Sequence, residues 1–239
     1  MNVTEAIARI LKSEGVEWMA CFPSTPLIEA AAKEGIRPIS FRHERGAVMA
    51  ADGFSRVKNG KFIGVFVMQQ GPGAENAYGG VAQAFANSVP ILLLPGGHAR
   101  DSIGVPPAFE SAQQYKGITK WAGHVNTVER IPELMGRAFS QLKHGRPGPV
   151  LLEMPGDVTQ QEFPDGAFNY NPVPSCYGMC QEQGRPILTI LLNHLMYQSQ
   201  QNSLDHMYPE GYGREIGPTF ATGIAPRPDY AKLVEAFGG

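Results

Sequence analysis

The sequence predicts an α/β protein: a doubly wound, mostly parallel sheet with helices on both faces, plus a short α/β segment at the C-terminus. Three observations lead there. Short apolar runs stop at Pro or Gly, as strands buried on both faces do. Between them lie stretches with apolar residues at helical spacing. The two kinds alternate as far as residue 154 with no internal repeat, which is the order that βα units produce.

Taken in order, Ala6, Ile7, Ile10 and Leu11 mark a first helix, with Thr4 as a cap and Gly15 as its end. The run 16–22 is a buried strand stopped by Pro23. Helix 26–33, strand 36–41, helix 44–58 and strand 62–68 continue the alternation, followed by helix 74–86, strand 89–94, helix 131–142 and strand 150–154. Residues 101–118, rich in small residues and prolines, form a loop too long for a plain connector. The stretch 163–184 strings together Pro, Gly, Asn, Tyr and Cys without a period and reads as a junction. Beyond it, 187–192 is an apolar strand and 230–237 a short helix.

Bulk properties narrow the function. With 239 residues the length allows one large domain or one plus a smaller, and a 43% hydrophobic composition suffices for a buried core. A formal charge of −2 without a basic, aromatic-interleaved cluster argues against nucleic acid and against an anionic membrane surface. Cys21, Cys176 and Cys180 suit a reducing compartment better than a disulfide scaffold, and the last two lack the paired ligands of a zinc site. The N-terminal helix has no basic leader, and no run reaches the ~18 apolar residues of a membrane span. The expectation is a cytoplasmic, soluble protein.

Two segments carry the candidate chemistry: Arg42-His43-Glu44-Arg45-Gly46-Ala47 and Gly71-Pro72-Gly73-Ala74-Glu75-Asn76. Each opens a helix after a strand, so both face the end of a parallel sheet where open α/β proteins bind ligands. Glu44 is the first candidate for proton exchange; the plainer alternative is a carboxylate interacting with its own helix dipole. Glycine at 71 and 73 lets backbone approach a flat ring, and Pro72 stiffens the turn. Ser24 and Thr25 can hold a carboxylate through their hydroxyls or cap the following helix. His98 and His124 have no motif around them and read as solvated or core histidines.

The spacing of these segments resembles the thiamine diphosphate enzymes of the acetolactate synthase, benzoylformate decarboxylase and pyruvate decarboxylase group, which carry a similar Arg-His-Glu followed by Gly-Pro-Gly-x-x-Asn. The likeness extends through Ala50-Ala51-Asp52-Gly53-Phe54-Ser55-Arg56 and Ser88-Val89-Pro90-Ile91-Leu92. The resemblance implies that Glu44 hydrogen-bonds N1′ of the cofactor aminopyrimidine and promotes the tautomer whose N4′ takes the thiazolium C2 proton. It puts Pro72, Gly73 and Asn76 against that ring, with Pro23 also among the cofactor-binding positions. Ser24, Thr25, Gln69 and Phe109 fall where family members contact or select a 2-oxoacid substrate, although Glu110 stands where the synthases have Gln.

The same resemblance divides the chain into a pyrimidine-binding domain at 1–165, a junction at 166–185 and part of a diphosphate-binding domain at 186–239. In the family, magnesium diphosphate is held by Gly-Asp-Gly and a later Asn-Asn. No Gly-Asp-Gly occurs in this sequence, and Asn193-His194 occupies the place of the pair. Imidazole is a poor exchange for an oxygen ligand on magnesium, so the expectation is weak binding of thiamine diphosphate by this chain alone. The implied function is a thiamine diphosphate-dependent 2-oxoacid decarboxylase or carboligase, or its pyrimidine-binding component. The implied assembly is a homodimer or tetramer, with a separate diphosphate-binding subunit as a possible supplier of the other half-site. The alternative is a non-catalytic, internally deleted or engineered derivative that serves only as a folded association domain.

Overall fold

A computed structural model describes residues 1–23, 25–164, 166 and 168–173. The chain divides into two units, Met1–Gly178 and Met179–Gly239. The second lies outside the described residues, as do the expected strand 187–192, the helix 230–237, and Asn193 and His194.

Six parallel strands form one sheet: β1 (Trp18–Cys21), β2 (Arg37–Ser40), β3 (Gly64–Met68), β4 (Ile91–Gly97), β5 (Trp121–His124) and β6 (Val150–Pro155), in the order β2-β1-β3-β4-β6-β5. The α/β class and the doubly wound arrangement are as expected. The helices are α1 (Val3–Ser13), α2 (Leu27–Lys33), α3 (Glu44–Val57), α4 (Pro72–Ala86), α5 (Ser111–Gln114), α6 (Ile131–Lys143) and α7 (Gly156–Thr159). Most boundaries fall within two residues of expectation, and the exceptions have identifiable causes. Asn2, not Thr4, caps α1: its side chain accepts from the Glu5 amide while Glu5 reaches back to the Asn2 amide, and Thr4 only donates its hydroxyl to Asn2. Gly15 does end that helix, with φ at +84°.

Residues 101–118 are not a plain loop. They contain α5 and 3-10 turns at Arg100–Ser102 and Tyr115–Gly117, and the edge strand β5 follows. β4 also runs on through Pro95 to Gly97, pairing with β6 there.

The two faces of the sheet carry separate cores, and alternate residues of each central strand serve them. Val65 and Val67 of β3, Leu92 and Leu94 of β4 and Leu152 of β6 join the residues of α1, α2 and α6. Phe66, Met68, Leu93 and Leu151 point the other way, toward α3, α4 and Tyr115. β3, β4 and β6 are therefore buried nearly throughout, whereas the edge strands β2 and β5 are half-exposed. α3 lies so close to β3 that a Cβ on Gly64 would fall 2.1 Å from the Ala51 carbonyl oxygen. Only glycine fits at that contact. Residues 170–173 are tied to the first core face: Glu14 accepts from the Tyr170 hydroxyl and from the Val173 amide at 2.8 Å, and Lys143 donates to Glu14 at 2.5 Å. Burial and the neighbouring Glu14 push the Tyr170 phenol well above its ordinary range.

Candidate active site

The strand order reverses between β1 and β3: β2 lies on one side of β1, and β3 begins the run to the other side. That reversal opens a crevice beyond the carboxyl ends of the strands, where open α/β sheets take ligands. β2 leads into α3, whose first residue is Glu44; β3 leads through Gln69-Gln70-Gly71 into α4. Crossing from β2 to pack on β1 and β3, α3 lies beside α4 on one face of the sheet, and the two helices bring their N-termini together there.

His43 caps α3, its ring nitrogen accepting from the Arg45 amide at 3.2 Å. This sets the helix start so that Glu44 points inward, 5% exposed. The Asn76 side-chain amide donates to Glu44 Oε2 at 3.1 Å, across 32 residues of sequence. Gly71 has φ +61° and ψ −110°, a backbone that favours glycine, and Pro72 follows as the first helical residue. The glycine turn is thus shorter than expected, and Gly73 already belongs to the helix. A Cβ on Gly73 would stand 3.0 Å from Gln69 Cβ and 3.5 Å from Glu44 Oε1. The missing side chain leaves bare backbone next to the second carboxylate oxygen.

Thr25 lies in the loop after β1, and its Oγ1 is buried with no hydrogen-bond partner among the described residues. The capping alternative fails for this residue: α2 has Pro26 at its cap position and no side-chain cap bond. Ser24 lies outside the described residues. Pro23, Gln69 and Gln70 are exposed at the ends of β1 and β3. Phe109 is half-buried against the second core and meets Tyr115 edge-on, with ring centroids 6.4 Å apart. The structure therefore brings Glu44, Gly73, Asn76 and Gln69 together, while Phe109 joins them only through the segment that contains Tyr115.

Sequence reasoning missed a second buried carboxylate, Glu153 of β6, 3% exposed. It accepts from the Ser111 amide at 3.1 Å and the Ala112 amide at 3.0 Å, and its Oε2 lies 3.5 Å from His124 Nδ1. These groups border a cavity of about 310 Å³ whose walls include His98, Glu110, Lys116, His124 and Glu153, at the carboxyl ends of β4, β5 and β6. Glu44 is not among its walls. Glu153 itself is committed to holding the start of α5. The carboxylate beside bare backbone at the topological switch is the stronger chemical signal. The available clue to Glu153 was an acidic residue inside an apolar strand run.

Among the described residues no group of three or more His, Cys, Asp or Glu is placed to hold a metal ion, and no helix is long and apolar enough to cross a membrane.

Comparison with known proteins gives a family and a set of relatives. Residues 1–121 match the thiamine pyrophosphate enzyme N-terminal TPP binding domain. The chain is similar to acetolactate synthase 2, chloroplastic, of Nicotiana tabacum (36% identity over 164 residues, 66% of this chain and 24% of the relative). It is also similar to the acetolactate synthase large subunits of Lactococcus lactis subsp. lactis (37% over 166 residues, 66% and 28%) and Porphyra purpurea (39% over 174 residues, 70% and 28%). The matched part of the chain thus spans about a quarter of the length of these relatives.

Proposed function

The chain belongs to the thiamine pyrophosphate enzyme family, and on that premise we propose that it is a 2-oxoacid decarboxylase or carboligase of acetolactate synthase type, or the pyrimidine-binding component of one. The observation that carries the proposal is the Glu44–Asn76 contact at the switch point, beside a glycine that leaves Glu44 Oε1 open to a flat ring. That arrangement fits an aminopyrimidine: a carboxyl group to exchange a proton with a ring nitrogen, and bare backbone for the ring to rest on. Thiamine diphosphate, when bound, supplies the electron sink for breaking the bond to the 2-oxoacid carboxylate.

The chain's own residues divide the remaining work. Glu44 holds and returns a proton at N1′, and Asn76 fixes the carboxyl orientation by donating to Oε2. Pro23, Pro72 and Gly73 bound the ring. Ser24 and Thr25 are placed in sequence after β1 to receive a substrate carboxylate, and the orphaned Thr25 hydroxyl supports that role. Gln69 and Phe109 are the candidates for substrate choice. We assign 1–165 to the pyrimidine domain, 166–185 to a junction and 186–239 to a partial diphosphate domain, with Asn193 and His194 as an incomplete magnesium site. The chain assembles as a homodimer or tetramer, and a separate subunit bearing Gly-Asp-Gly supplies the diphosphate half-site that this sequence lacks. Cysteine usage supports a cytoplasmic location.

The deciding experiment mixes the full chain, thiamine diphosphate and magnesium with a Gly-Asp-Gly-bearing subunit and follows pyruvate turnover. Turnover should require both chains and disappear in Glu44→Gln; full activity in that variant refutes the assignment. The second reading, a folded association domain without chemistry of its own, draws on the exposure of Met49 on α3 and of Tyr78 and Phe85 on α4. It predicts self-association with no thiamine-dependent turnover under any pairing.

A further inference from the structure

Asn76 can orient Glu44 only if the first turn of α4 is itself held in place, and the Gly71–Pro72 turn is a support at its very start only. The structure contains a firmer one. Tyr115 is fully buried, and its hydroxyl donates to the Ala74 carbonyl at 2.5 Å, across 41 residues. Ala74 is two residues from Asn76 in the same turn of α4. Its carbonyl also serves the helix ladder, so the tyrosine takes up a second lone pair rather than filling a vacancy. The ring meets Tyr78, one turn further along α4, edge-on at 5.1 Å, and Phe109 at 6.4 Å.

Tyr115 is in turn anchored to the sheet. The 3-10 turn that it opens follows α5, whose first amides, from Ser111 and Ala112, donate to Glu153 on β6, toward the carboxyl end of the sheet. The Thr119 hydroxyl donates to the Tyr115 carbonyl at 2.8 Å. Burial raises the phenol far above its ordinary range, so it remains a donor at any working pH. A buried aromatic ring with its hydroxyl satisfied transmits position well, because it has few rotamers and no room to move.

We propose that Tyr115 is the positioning residue for the Glu44–Asn76 pair: held by α5 and Glu153 on the sheet side, it clamps the first turn of α4 through Ala74 and so aims the Asn76 amide at the Glu44 carboxylate. The consequence for function rests on the reading of Glu44 as the aminopyrimidine activator; the clamp itself does not. The segment 109–118 thereby becomes part of the site without touching the cofactor.

The test uses the full chain, isotopically labelled, with the Asn76 side-chain amide assigned by its loss in Asn76→Asp. Two quantities are read by NMR: hydrogen exchange of that amide, and affinity for 4-amino-5-hydroxymethyl-2-methylpyrimidine, the aminopyrimidine half of the cofactor alone. Tyr115→Phe keeps the ring and removes one hydrogen bond. Exchange at Asn76 should quicken about tenfold, as loss of one buried hydrogen bond does to an opening equilibrium, and fragment affinity should fall about fivefold. Ser55→Ala removes a buried hydroxyl that accepts from the Gly64 amide at a distance from the site. It should destabilise the fold without changing either reading. Wild-type exchange and affinity in Tyr115→Phe overturn the proposal. A measurement that needs no variant is the Tyr115 hydroxyl proton, expected to be slowly exchanging and close in space to the first turn of α4; its absence at low temperature also overturns the clamp. If Glu44→Gln binds the fragment as the wild type does while Tyr115→Phe still frees Asn76, the clamp stands and the cofactor reading falls.

Discussion

Two carboxylates are buried at the carboxyl end of the same sheet, and their surroundings differ. Glu153, on β6, receives two backbone amides from α5 and faces His124. Glu44, at the start of α3, receives a side-chain amide from a neighbouring helix and borders the bare backbone of Gly73. A carboxylate that accepts backbone amides is tied to the scaffold, since its removal leaves those donors buried and unpaired. A carboxylate that accepts from a side chain and has space beside it can change partner. Burial alone would rank the two together; the type of partner distinguishes a structural group from a chemical one.

Exchanging the two carboxylates for neutral groups is the strongest way to break this comparison. Glu44→Gln should cut thiamine-dependent turnover by at least about a hundredfold, the scale of a lost general acid–base group, while stability in urea changes by less than about 1 kcal/mol. Glu153→Leu should do the reverse: a loss of about 3 kcal/mol in urea unfolding, because the Ser111 and Ala112 amides and His124 lose their acceptor. Equal destabilisation by the two substitutions would erase the distinction.

Asn76→Ala sharpens the chemical side. It should cost about 1–2 kcal/mol of stability by removing a charge-assisted hydrogen bond, and lower turnover less than Glu44→Gln does. Direct comparison of the two variants in one kinetic series checks the order.

The smallest effect comes from a third carboxylate, at the surface. Burial pushes the Asp157 carboxyl up, but hydrogen bonds and charge from Arg100, at 2.6 Å, outweigh it and leave the group below its usual range. A lowered folded-state value means that the stability contribution is present above the unfolded value of about 3.9 and is lost as pH falls through the lower folded one. Since both side chains are about a third exposed or more, Arg100→Ala should cost less than about 1 kcal/mol at pH 7. Urea midpoints measured from pH 7 down to pH 2 should show the gap between variant and wild type closing toward the acid end.

How far the sequence could be read followed the physical range of each signal. β3, β4 and β6 were legible because a strand buried on both faces must be apolar throughout. β5 was not: Trp121-Ala122-Gly123-His124 is four half-exposed residues at an edge, with a glycine and a histidine among them. α5 and the turn at Tyr115 are not legible in the sequence, since a four-residue helix has no period to detect. Glu44 and the Gly71-Pro72-Gly73 turn are legible because a carboxylate and a glycine turn open successive helices at the spacing that carries the family resemblance. Thr4 is a cap candidate by residue type alone, whereas in the fold Asn2 and Glu5 form the full capping box.

By itself the sequence determined the alternation of strands and helices, the end of the sheet at which the candidate residues lie, and the residue types available there. These depend on periodicity and turn chemistry within a few residues of one another. Only the tertiary structure decided that Asn76 meets Glu44, that the Tyr115 hydroxyl bonds Ala74 in the first turn of α4, and that Glu153 is spent on α5. Each of those contacts spans more than 30 residues, and adjacency at that range follows from strand order and the crossing of helices over the sheet.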